Sequence, residues 1–315
     1  MIGFAARAIA NQWQDVAPAL ENLRIDWPRV LASGMIVVAT YLLLVEAWRS
    51  TLRAWGDQLP YKTAARIWFV SNLGKYLPGK VWQIAAMGAM AQQSGVSPAA
   101  AIGSALVVNL VSIIAGAAVI VATAGKRVAL AVGSQTSSVD ETTSVLIAVG
   151  VAIVGIVALA LTPVVVPRLA KLAARVTGRN IGIPSVPPRA IWIAAAATAT
   201  SWVLYGFAFA LFANGITPRA AGNAASYIAV YTGSYLAGYL ALFVPGGVGV
   251  REAALVLAMP RFQLASTADA TIIAITSRLW LTVLEILPGL LLMRRTDRDH
   301  RQQPKTTAML SDGED

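Results

Sequence analysis

Apolar blocks alternate with short polar connections along nearly the whole chain. Five blocks predict spanning helices: Val30–Trp48, Ala99–Ala124, Ser144–Val166, Ile191–Phe212 and Thr267–Met293. Ala99–Ala124 carries no charge; at about 1.5 Å per residue it reaches roughly 39 Å, against a hydrocarbon core of about 30 Å. Ser97-Pro98 supplies it with an N-cap and a proline near the first helical position. Asn214-Gly215 predicts the stop of the Ile191–Phe212 helix. Two further blocks are interrupted. Thr63–Leu77 is too short to span comfortably and breaks at Pro78-Gly79, after which Lys80–Gln93 predicts a second short helix. Asn223–Phe243 breaks at Pro245-Gly246-Gly247-Val248-Gly249, and the short helix Arg251–Met259 follows. At the start, Ile2, Phe4, Ile9, Trp13, Val16 and Leu20 recur at helical spacing, which predicts an amphipathic surface helix over Met1–Leu23 and not a signal peptide. Gly125–Thr143 reads as a polar loop, and Arg294–Asp315 as a disordered tail.

The order of blocks occurs twice. A span, a broken hairpin and a second span fill residues 30–124, and the same order fills 190–293, with the span 144–166 as a linker. The chain therefore divides into an amphipathic segment (1–29), a single transmembrane domain (30–293) and a cytoplasmic tail (294–315). Arg168, Lys171, Arg175, Arg179 and Arg189 lie in an acid-free connection, which places it in the cytoplasm. Arg294-Arg295 places the C-terminus there too, while the charges of Gly125–Thr143 cancel and fit the outside. Each hairpin must then re-enter, the first from the cytoplasm and the second from outside. The expected architecture is an all-α integral membrane protein with about five spanning helices and two re-entrant Pro-Gly-broken hairpins in inverted-topology repeats.

Composition agrees with a membrane class. The 315 residues are 57% hydrophobic and 13% charged, with mean hydropathy +0.65; a soluble domain carries about 25% charged residues. There is no cysteine and one histidine, His300, in a polar stretch. Disulfides, thiol catalysis and histidine-based metal sites or triads are not expected. No nucleophile–base pair stands out, so neither an enzyme nor a cofactor is expected. The net charge of +10 fits the positive-inside bias and contact with anionic lipid. Nucleic acid is not an expected partner, because no basic face with stacking aromatics lies outside the apolar blocks.

The two breaks carry the candidate chemistry. A helix that begins within the bilayer offers unpaired N–H groups and a partial positive charge at its start, which favours anions. Lys80 and Arg251 stand in the first turns after the breaks, and Gly79, Gly246, Gly247 and Gly249 let backbone approach a ligand. Charges inside apolar helices cost about 2.5–3.5 kcal/mol each on insertion scales, which singles out Lys75, Lys80, Arg251, Glu252, Arg278 and Glu285. A polar cavity is expected, its cations holding a phosphate, with Glu252 or Glu285 pairing Arg278 when it is empty. Lys75 and Lys80 fit snorkelling to the interface equally well. Asn72, Gln83 and Asn109 are expected to bond helices together, and Tyr227, Tyr231, Tyr235 and Tyr239, at i, i+4 steps, to pack.

Ser71-Asn72-Leu73-Gly74-Lys75-Tyr76-Leu77-Pro78-Gly79-Lys80, then Gly95-Val96-Ser97-Pro98, then Phe243 to Glu252, then Arg278, resemble the transmembrane region of the lysylphosphatidylglycerol synthetase/flippase family over roughly Val30–Met293. The resemblance implies a lipid-translocating domain, or a relative acting in polyprenyl-linked or hopanoid lipid pathways. It carries over Pro78, Gly79, Pro245, Gly246, Gly247, Gly249, Glu252 and Arg278 as family positions. The soluble aminoacyl-transferase part of fused members has no counterpart up to Asp315, so lipid aminoacylation by this chain is not expected. The family's usual first span is missing or shortened to Met1–Leu23. The expectation is a flippase of the cytoplasmic membrane that binds a phospholipid or polyprenyl-phosphate-linked lipid. Its rivals are an ion-coupled transporter of a small anion and a non-transporting partner of a glycosyltransferase or lipid-modifying enzyme.

Overall fold

The computed structural model describes residues 25–76, 81–132, 150, 168, 187–217, 222–241 and 244–302. The expectations for Met1–Leu23, for the span Ser144–Val166, and for Pro78, Gly79 and Lys80 lie outside them. The described residues form helices α1 (Trp27–Ala54), α2 (Tyr61–Asn72), α3 (Val81–Gln93), α4 (Pro98–Val132), α5 (Pro188–Ile216), α6 (Ala224–Leu240), α7 (Val250–Arg261) and α8 (Thr267–Gln302). Short 3-10 turns, Leu73–Tyr76 and Pro245–Gly247, follow α2 and α6. No strand occurs among the described residues.

Among the described residues, four segments are long and apolar enough to cross a membrane: Trp27–Ala54, Pro98–Ala124, Pro188–Ile216 and Thr267–Met293. Their starts follow local chemistry. Asp26 accepts the Arg29 N–H at 3.3 Å with Pro28 in the first turn, and the Asp269 N–H donates to the Ser266 hydroxyl, which donates back to Asp269 at 2.8 Å. By contrast α2, α3 and α7 have 12, 13 and 12 residues. At about 1.5 Å each they reach only about 18–20 Å, short of the roughly 30 Å core.

Three expected boundaries move. Helix α5 does not stop at Asn214-Gly215 but runs to Ile216. Gly215 serves packing instead: a Cβ there would lie 3.1 Å from Val30, and its carbonyl accepts the Asp26 N–H at 2.8 Å. Helix α4 continues through Gly125 to Val132, where helix-forming Lys126, Arg127, Ala129 and Leu130 outweigh a single glycine. Helix α8 passes Pro288 unbroken and extends beyond Arg294 to Gln302, along a stretch in which arginines and aspartates mix at helical spacing.

The element order of the first half, α1–α2–turn–α3–α4, recurs as α5–α6–turn–α7–α8. Packing interlocks the halves. Helix α1 lies against α5, with Asp26 beside Gly215 at one end and Ala54 and Trp55 packed into the cluster of Ala190 and Ile191 at the other, so the two run antiparallel. Helix α2 packs on α8 of the other half, and α6 packs on α4. The 3-10 turns touch each other between them. Small residues permit the closest approaches. A Cβ at Gly206 on α5 would lie 2.4 Å from Ile228 Cα on α6, whereas at Gly233 the nearest neighbour is a side-chain atom 3.8 Å away. Gly206→Ala is therefore expected to lower stability by about 1–3 kcal/mol, since backbone must move, and Gly233→Ala to leave it unchanged. Thermal unfolding of both variants in the same detergent checks this.

Candidate functional site

The second break is built from glycine. Gly246, Gly247 and Gly249 have φ of +60°, +66° and +84°, the left-handed region that side chains disfavour. Gly247 also abuts α6, where a Cβ would come within 2.5 Å of the Gly238 carbonyl oxygen. The turn thus lies directly on the α6 backbone. Glu252, three residues into the next helix, accepts the Gly249 N–H at 2.6 Å, the reciprocal half of a capping box.

Arg278 reaches this turn from α8. Its Nη2 donates to the Gly246 carbonyl at 2.9 Å, and its Nε lies 3.6 Å from Glu252 Oε1, close enough to attract but too far to hydrogen-bond. Of the two carboxylates expected to pair Arg278, the structure selects Glu252. Glu285 is engaged elsewhere. It accepts from Tyr41 at 3.1 Å and from Tyr76, and pairs with Lys75 at 2.7 Å. This joins α1, the first break and α8 at one carboxylate. Lys75 is thus paired within the bundle.

Arg251 occupies the centre. It is 5% exposed, and its guanidinium stacks over the rings of Tyr231 and Tyr235 at 4.9 and 4.8 Å. Its Nη2 has no hydrogen-bond partner among the described residues; Glu252 Oε1 and Arg278 Nε lack one as well. Leaving a buried charged donor unpaired is costly, and most buried polar atoms in folded chains are paired.

Arg251, Arg278, Lys75, Glu285, Gly246 and Gly247 line a cavity of about 440 Å³ bounded by α1 to α8. The cavity extends past neutral polar groups. Gln83 on α3 donates to Asn72 on α2 at 2.5 Å, and Tyr239 on α6 donates to Asn109 on α4 at 3.2 Å. Its wall continues through Ile84, Leu106 and Asn109, which are exposed on the outside of the bundle between α3 and α4. Exposed apolar side chains, Ile84 and Leu106, thus form part of the cavity wall.

The structure brings together Lys75, Gly246, Gly247, Gly249, Arg251, Glu252, Arg278 and Glu285; Pro245 opens the second turn. Tyr41, Tyr76, Tyr231 and Tyr235 also belong to the site. The i, i+4 stripe on α6 was visible, and a cation placed after the nearby break was the only hint that two of its rings would hold a guanidinium. No group of acids and histidines able to hold a metal occurs among the described residues.

Fold and cavity together define a multi-pass helical membrane protein with a charged chamber between two helix breaks. The chain belongs to the lysylphosphatidylglycerol synthase transmembrane-region family, whose model matches residues 2–289. No curated protein matches the chain.

Proposed function

We propose that the chamber binds the phosphate of an anionic lipid, a phospholipid or a polyprenyl-phosphate-linked lipid, and that the protein carries it across the cytoplasmic membrane without catalysing a reaction. Arg251, which lines the cavity and whose buried Nη2 has no partner among the described residues, carries this proposal. A phosphate oxygen there would pair it, with the Arg278 guanidinium at the adjacent turn. The exposed apolar side chains in its wall favour a lipid over a soluble anion, because acyl or prenyl chains can stay in the bilayer while the headgroup enters. The antiparallel α1 and α5, which hold matching places in the two halves, support inverted repeats with re-entrant hairpins. Such a scaffold alternates access by rocking its halves about a central site. Arg294-Arg295 orients the C-terminus to the cytoplasm.

Purified protein in vesicles with labelled phosphatidylglycerol, phosphatidic acid or a polyprenyl phosphate tests this. Wild type is expected to speed transbilayer movement of at least one of them. Arg278→Ala is expected to cut that rate about tenfold or more, as loss of a charged hydrogen-bond partner implies. Movement no faster than in empty vesicles for every lipid would overturn the proposal.

A further inference from the structure

A second, much smaller cavity lies where the two halves meet, and we infer that it is a binding site for one water molecule bridging Trp280, Ser33 and Ser277. Its volume is about 10 Å³. Ser33 and Val37 of α1, Phe209 and Phe212 of α5, and Ser277 and Trp280 of α8 line it. Tyr205 and Leu281 line both this cavity and the chamber, so the two spaces share a wall. Cavities with purely apolar walls stay dry, whereas a polar one of about 10–15 Å³ has room for a water that makes about three hydrogen bonds. This cavity has room for one water and no more, and its walls carry polar side chains from both α1 and α8.

The indole of Trp280 supplies the need for it. The ring stacks on Phe212 of α5, with centroids 6.5 Å apart and planes inclined by 21°. On its other flank it lies so close to α1 that a Cβ at Gly34 would come within 2.7 Å of Cζ2. Wedged in this way, the ring buries its Nε1, which has no hydrogen-bond partner among the described residues. An indole N–H can only donate, and most buried donors are paired with protein or with ordered water. Ser33 and Ser277 are both buried. The Ser277 hydroxyl donates to the Ala274 carbonyl at 3.1 Å, so its oxygen is left to accept. A water here accepts from the Trp280 N–H and donates to the two serine oxygens, the usual complement for a buried water. Helix α1 belongs to the first half and α8 to the second. The water therefore joins the halves beside contacts that are otherwise apolar, those of Val30, Phe212, Ile216 and Ile272.

Replacing Trp280 by benzothienylalanine in the full chain tests this, because sulfur takes the place of the N–H while the bicyclic shape is kept. With the water bound, the analogue is expected to raise the unfolding equilibrium constant in detergent about two- to tenfold, the effect of losing one ordinary hydrogen bond. In a dry cavity the analogue would remove a buried, unpaired donor, and stability would stay level or rise; that result would overturn the inference. In a Ser33→Ala background the same replacement is expected to cost less than in wild type, because groups that share one water are not independent. Equal costs in the two backgrounds would show that no water links Trp280 to Ser33 and would overturn the bridge. A crystal structure of the wild-type protein, fine enough to show ordered waters elsewhere in the molecule, gives a reading that needs no variant. Density within hydrogen-bond distance of Trp280 Nε1 and Ser277 Oγ is expected, and a cavity without density would overturn the site. None of these measurements involves a lipid, so a failure here leaves the proposal for the chamber untouched.

Discussion

Arg251→Met is expected to weaken anionic-lipid binding by about 10- to 150-fold while leaving the protein as stable as wild type or more so. The first number follows from losing a hydrogen bond to a charged group, about 1.5–3 kcal/mol. The second follows from the state of the guanidinium when the chamber is empty. It is buried with Nη2 unpaired, a condition that costs about 1–3 kcal/mol. Methionine removes that cost and keeps an unbranched stem between Tyr231 and Tyr235, where a thioether packs favourably on aromatic rings. Arg251→Lys keeps charge but loses the planar stack, so it should bind with intermediate strength. Lipid affinity and detergent unfolding measured on one preparation separate the two effects. Wild-type affinity in Arg251→Met would refute the role given to this residue, and a large loss of stability would refute the claim that it is held for binding.

Glu285→Ala should do the opposite, costing about 3–5 kcal/mol of stability. Removing one member of a largely buried ion pair leaves the other charge uncompensated. Here Lys75, Tyr41 and Tyr76 all lose their acceptor at once. The double variant Lys75→Met, Glu285→Leu should recover the part of the loss that comes from the uncompensated Lys75 charge, because an apolar pair of similar volume replaces a buried ion pair at little cost, and leave the part that comes from the Tyr41 and Tyr76 hydroxyls. The unfolding free energies of the single variants Lys75→Met and Glu285→Leu and of their double form a cycle. Additive losses would mean that the two residues do not act as a pair.

Much of the framework could be read from the chain. Long apolar blocks gave the four candidate spanning helices among the described residues, because the length needed to cross a bilayer is a fixed physical quantity. The second break was readable because Pro245-Gly246-Gly247 both removes a backbone donor and permits positive φ. The gathering of cations was readable in kind, since a charge within an apolar helix demands a partner. Which partner it takes was not. Glu252 and Glu285 stand at comparable depths by counting, and only the arrangement of α1, α2 and α8 decides that Lys75 claims Glu285 and leaves Glu252 to Arg278. The roles of Tyr231 and Tyr235 were hidden for a related reason. An i, i+4 aromatic stripe looks the same whether it meets apolar neighbours or a guanidinium. Gly215 misled for a third reason. A glycine near a helix end suits both a C-cap and a close helix contact, and here the contact with α1 prevailed.

The interlocked packing bears on how the protein is made. Helix α2 finds its main long-range partner in α8, which leaves the ribosome about 200 residues later, or roughly 10–40 s at 5–20 residues per second. During that interval Lys75 lacks its carboxylate and Asn72 its final surroundings. Chains cut short before α8 never leave that condition. Arrival of the last helix is therefore the step that pairs Lys75 and completes the chamber.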